Sequence, residues 1–120
     1  VSYLKERVQF DVQIGSFQAL QHRAARLYVE LELLESCVLA AFEAIDSGLE
    51  AKVPELVSAA KAKASDLCEK LCNEAIQLHG GIGVTDELDI GLFFKRARVL
   101  QRLLGDGGYH RNRFAQLKGF

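Results

Sequence analysis

The chain has 120 residues, 49% of them hydrophobic and 26% charged, with a formal net charge of −1. That is one domain of ordinary globular composition with room for a real core, and no global field marks a nucleic-acid or membrane-surface binder. There is no run of about 18 apolar residues to span a bilayer and no basic-then-apolar leader, so the three cysteines are expected to be reduced thiols in a cytosolic setting.

Val1 opens in the middle of a helical pattern with no capping residue before it, so the chain is expected to be part of a longer polypeptide. Val1 to Phe10 reads as the last turns of a helix. After Gly15, Ser16 is the expected N-cap of a long helix. Its apolar positions, Leu20, Ala24, Leu27, Leu31, Leu34, Val38, Ala41 and Ile45, step by three and four until Gly48. A second long helix is expected from Val53 to His79, with Pro54 in its first turn and Leu56, Ala60, Ala64, Leu67, Leu71, Ala75 and Leu78 on one face.

Gly80 stands where a helix stop favours a left-handed residue. Thr85 is the expected cap of a third helix, with Leu88, Leu92, Val99 and Leu103 on its apolar side and Lys95, Arg98 and Arg102 on another. Gly105, Gly107 and Gly108 break it, and a short helix follows from Tyr109 to Leu117. No stretch sustains period-two alternation, so the expected fold is all-α, an up-and-down four-helix bundle forming one domain over residues 1–120. From Leu92 onward seven Lys or Arg stand against one acid. This is either a face for an anionic partner or the balance to an acidic remainder.

The stretch Gln77 to Val84, "QLHGGIGV", holds three glycines in four positions. It is not a dinucleotide fingerprint of the strand-loop-helix kind, because it follows a helix. One glycine suffices for a helix stop; the others suit a backbone that passes close to another chain or a ligand. His79 is either an acid or base or a complement to the helix dipole. Cys68 and Cys72 are four residues apart but lack further ligands at zinc spacing, and His22, His79 and His110 fit no di-iron pattern, so no metal site is expected. No nucleophile has a base at recognisable spacing. In Arg7 to Gln18, "RVQFDVQIGSFQ", an arginine fork and glutamine amides suit a phosphate and an adenine edge. The alternative is a polar turn with Phe10 and Phe17 anchored in a core.

Together, "ERVQFDVQIGSFQALQHRAA" and "AIQLHGGIGVTDELDIGLFFKRARV" resemble the C-terminal helical domain of acyl-CoA dehydrogenases, and the resemblance covers essentially the whole chain. It implies an FAD enzyme that desaturates an acyl-CoA thioester between its α and β carbons. A base removes the α-proton and the β-hydrogen leaves as hydride to the flavin. It implies that N-terminal helical and middle β domains precede this one, which forms much of a dimer or tetramer interface. It further implies that Arg7 binds the FAD diphosphate, that Phe10 and Gln18 help seat the cofactor, and that Gln9 occupies a polar contact position. Gln77, Gly80 and Gly81 match the contact to a neighbouring subunit's FAD. The implied partners are acyl-CoA, subunits of the same family (homodimer, homotetramer or heterotetramer) and an electron-transfer flavoprotein, in a bacterial cytoplasm, with no nucleic acid and no membrane.

Some positions depart from the family pattern. Leu104 occupies the usual catalytic glutamate position, so no catalytic residue is assigned; Asp106 and Gly108 replace polar residues near the nucleotide, and Asp11 replaces a glycine. Either the base lies upstream of Val1, or the chain is a non-catalytic member of a heteromeric dehydrogenase. A plain helical interaction module does not explain Arg7, Gln18, Gln77 and the glycines occurring together.

Overall fold

The computed structural model describes all 120 residues. Helix α1 (Ser2–Glu6) leads into a hairpin of β1 (Val8–Gln9) and β2 (Val12–Gln13), then a 3-10 turn at Ile14–Ser16. The long helices are α2 (Gln18–Asp46) and α3 (Val53–His79). A second 3-10 turn, Gly80–Val84, precedes α4 (Ile90–Arg102) and α5 (Gly107–Lys118). The expected all-α, four-helix architecture is therefore present, apart from the hairpin.

Helix α3 is the hub. Its buried residues include Ser58, Ala60, Ala62, Ser65, Leu67 and Cys72, mostly small side chains that let neighbouring helices approach closely. Arg23 bonds Glu74 at 2.7 Å and Glu30 pairs with Lys63, fastening α2 antiparallel to α3. Gln101 donates to Ser65 O at 2.7 Å and Lys61 to Leu100 O at 2.6 Å, fastening α4. Arg111 reaches Asp66 at 2.6 Å and Arg113 reaches Ser58 Oγ at 2.9 Å, so α5 prolongs the return leg of α4 along α3. The fully buried Ser58 hydroxyl thus has the partner that burial demands.

Several boundaries differ from expectation, each for a local reason. The first helix stops at Glu6, because residues 8–13 pair as a hairpin whose turn residues Phe10 and Asp11 have φ of 55° and 62°. Two left-handed turn residues match the twist of a tight hairpin. Phe10 and Phe17 are not core anchors: Phe10 is 86% exposed and meets Phe17 edge-on at its surface. Ser16 does not cap α2; its hydroxyl bonds back to Gln13 O and Phe17 takes the cap position. Thr85 likewise closes the preceding loop, bonding Ile82 O at 2.8 Å, and α4 begins five residues later.

The apolar side assigned to α4 is reversed. Leu92, Val99 and Leu103 are exposed, while Ala97 is buried and Phe94 and Gln101 are half-buried. The small Ala97 lets α4 lie close on α3, which a leucine at that point would prevent. Helix α5 starts two residues before its expected start, because Asp106 caps it, accepting from Tyr109 N at 2.8 Å.

Candidate functional site

Arg7 sits at the end of α1, where its own N–H bonds Tyr3 O and its carbonyl accepts from Ile14 N, both at 2.9 Å. The hairpin between those two anchors is clamped to α1 at Gly15, where a Cβ would come within 2.7 Å of Leu4 O. Leu4 is itself buried. The base of Arg7 is thus fixed on both sides while its side chain is exposed, and none of the six ion pairs of the chain uses it. An exposed, unpaired guanidinium on an anchored backbone is free to receive an anion.

Opposite Arg7 is the end of α3. Gly80 has φ of 64° and ψ of −144°, a region open essentially to glycine alone, rather than the left-handed helical conformation expected. The three glycines of the loop separate by physical role. Gly80 is required by backbone conformation. Gly83 is required by packing, since a Cβ there would stand 2.6 Å from Ile76 O and 3.1 Å from the His79 side chain. Gly81 is required by neither: nothing lies within 4 Å of where its Cβ would be. The room expected at Gly81 and Gly83 therefore exists at Gly81 only.

These two regions form one open cleft of about 470 Å³, bordered by Arg7, Gln9, Gln77, His79, Gly80 and Gly81. The structure thus brings together, within one chain, residues that lie some 70 positions apart in the sequence. Phe10 and Gln18 are not part of the cleft wall; Phe10 stands at the hairpin tip and Gln18 opens α2. His79 was legible only as ambiguous, and its place in the wall follows from the helix end that Gly80 forces.

Leu104 is 85% exposed, with φ of 58°, in the turn between α4 and α5. His110, buried, reaches Leu104 O through Nε2 at 3.0 Å, and Asp106 caps the next helix. Those two bonds hold a leucine in a conformation that costs about 1–2 kcal/mol. The Asp106 carboxyl is held below its ordinary pKa chiefly by the Tyr109 N–H, so its role here is a cap. Burial pushes the Cys72 thiol up, making it an unreactive core residue, and no group of three or more His, Cys, Asp or Glu forms a metal cluster. No helix is long and apolar enough to cross a membrane.

The family model for the acyl-CoA dehydrogenase C-terminal domain matches residues 1–117. The acyl-CoA dehydrogenase IpdE2 of Mycolicibacterium smegmatis is 45% identical over 107 residues, covering 88% of this chain and 32% of that protein. The caffeyl-CoA reductase-Etf complex subunit CarC of Acetobacterium woodii is 33% identical over 99 residues, covering 82% of this chain and 26% of that protein. Among solved structures, a variant of the Tcur3481-Tcur3483 steroid ACAD superposes with a TM-score of 0.91 at 32% identity, covering 98% of this chain and 32% of that one. The chain spans about a third of the length of such relatives.

Proposed function

The chain belongs to the acyl-CoA dehydrogenase family, as its C-terminal domain, and from that premise we propose that it supplies the diphosphate-side wall of an FAD site in a full-length acyl-CoA dehydrogenase. The observation that carries this reading is the convergence of Arg7 and the Gln77–Gly81 loop on one cleft. The residues present fit the cofactor: an unpaired arginine fork suits a diphosphate, and Gly81 leaves space for close approach. When bound, the flavin accepts the hydride that leaves the acyl β-carbon.

Each residue of this chain has a binding task. Arg7 would hold the diphosphate through its guanidinium fork. Gln77 and Gln9 would offer amides to the nucleotide, and Gly80 turns the chain at the end of α3 so that Gly81 borders the cleft. Phe10 and Gln18 are reached only by a part of the cofactor that extends beyond the cleft. Because both halves of the cleft lie on one chain, this chain donates them as a unit to a site completed by its own β domain or by a neighbouring subunit. The exposed apolar faces of α2 and α4 serve oligomerisation, and acyl-CoA and an electron-transfer flavoprotein are the substrate and electron acceptor.

The test is Arg7→Ala in the full-length protein, with flavin occupancy measured by absorbance after dialysis. Occupancy should fall clearly; unchanged occupancy would count against the assignment.

A second reading has its own observation. Leu104 cannot accept a proton, and its turn holds it outward. A chain of this kind fits the non-catalytic member of a heteromeric dehydrogenase, in which the base is supplied by a partner subunit and not by a segment upstream of Val1; the likeness to the steroid ACAD Tcur3481-Tcur3483 supports that reading. Reading the reading frame about 30 residues upstream of Val1 for a Glu or Asp on a helical face separates the two.

A further inference from the structure

His79 stands at the edge of the cleft, with no task in the reading above. Its Nδ1 lies 2.7 Å from Ala75 O. A carbonyl oxygen only accepts, so Nδ1 carries the proton and, in the neutral ring, Nε2 is a bare acceptor. The ring of Tyr3 packs on the imidazole at 4.5 Å between centroids with 33° between planes, which limits rotation. Nε2 has no hydrogen-bond partner in the chain and is not sealed from solvent. Tautomer and ring position are therefore set before any ligand arrives, and His79 is one of the residues bordering the cleft that Arg7 and Gln77 share.

The wall carries both donors and acceptors, since Gln9 and Gln77 each present an amide oxygen beside their NH2 group. Arg7 has five N–H groups and no acceptor, and nothing lies within 4 Å of where a Cβ at Gly81 would stand. Arg7 answers the charge of a diphosphate; an acceptor beside it answers a neighbouring donor. In a dinucleotide, the donors flanking the diphosphate are the sugar hydroxyls.

We propose that His79 Nε2 accepts a hydrogen bond from a sugar hydroxyl of the bound dinucleotide, distinguishing a hydroxylated diphosphate from a simple anion. The proposal rests on the reading of this cleft as the diphosphate site. It adds that the site recognises more than charge, through a side chain pre-set by Ala75 and Tyr3.

The test uses the full-length protein stripped of flavin, titrated with FAD by equilibrium dialysis, with inorganic pyrophosphate as a competing probe. His79→Phe keeps a flat ring for Tyr3 and removes the lone pair. FAD affinity should fall about fivefold, the scale of one hydrogen bond, with pyrophosphate affinity unchanged. His79→Gln, whose Oε1 can reach a similar point, should recover part of the loss. Circular dichroism of both variants confirms that the helices remain. Wild-type FAD affinity in His79→Phe overturns the proposal, as does an equal loss for FAD and pyrophosphate. Unchanged FAD affinity in Arg7→Ala overturns the cleft reading itself, a distinguishable result.

Discussion

At the scale of the residue, the glycines and their would-be substitutes make the sharpest predictions. Gly83→Ala forces a Cβ against a backbone carbonyl that cannot move away cheaply, so it should cost about 1–3 kcal/mol of stability, read as a lowered denaturant midpoint. Gly81→Ala meets open space; its melting temperature should match the parent while flavin retention falls. Equal melting temperatures for the two variants would undo the division of roles. Asp11 is held left-handed in the hairpin turn, at φ of 62°. Asp11→Gly should therefore stabilise by about 1 kcal/mol, visible as a melting temperature raised by a few degrees. The glycine pattern was legible in the sequence, but which glycine did what was not. That depends on where Ile76 O and Leu4 O lie once helices have packed, and no local pattern encodes such distances.

At the scale of the element, α5 depends on Asp106 as its cap. The folded state depresses this carboxyl, as it does Glu74, held chiefly by a hydrogen bond from Arg23, and Glu30, held chiefly by one from Lys63. A depressed carboxyl stabilises the fold above its unfolded pKa, and that contribution is lost as pH falls through the folded value. Stability should accordingly be flat near neutrality and decline from roughly pH 4.5 downward. Asp106→Asn keeps a capping oxygen but removes one titration, so it should show a shallower acid decline in a pH series of chemical melts. An unaltered decline would mean that Asp106 contributes nothing to it. The lengths and order of α2 and α3 were readable because their apolar steps persist for many turns. The burial of α4 was not, because it carries apolar residues on both sides and only contact with α3 decides between them. The cap at Asp106 was not legible, because the glycines on either side of it mark a break in the chain and not the start of a helix.

At the scale of the whole molecule, the chain is elongated, 57 × 27 × 25 Å, and its accessible surface is 8453 Å². A compact monomer of 13.3 kDa would expose about 6,400 Å². The excess on this one chain, about 2,000 Å², is more than twice the roughly 800 Å² that each partner gives to a standard interface, and matches the scale of large obligate ones. Phe42, Ile45 and Val57 line an apolar groove between α2 and α3, and Leu92, Val99 and Leu103 lie open on α4. The isolated 120-residue chain should be helical and dehydrogenase-inactive, and should self-associate with concentration in sedimentation velocity, with Phe42→Asp shifting it toward monomer. Purely monomeric sedimentation at high concentration would remove the case for these faces as interfaces. The single-chain cleft also has a stoichiometric meaning. If one polypeptide carries both the arginine fork and the glycine loop, cofactor number counts copies of that polypeptide. In a mixed assembly, the flavin bound at saturation should then not exceed the number of copies of this polypeptide, and a partner lacking these residues should add no further flavin site.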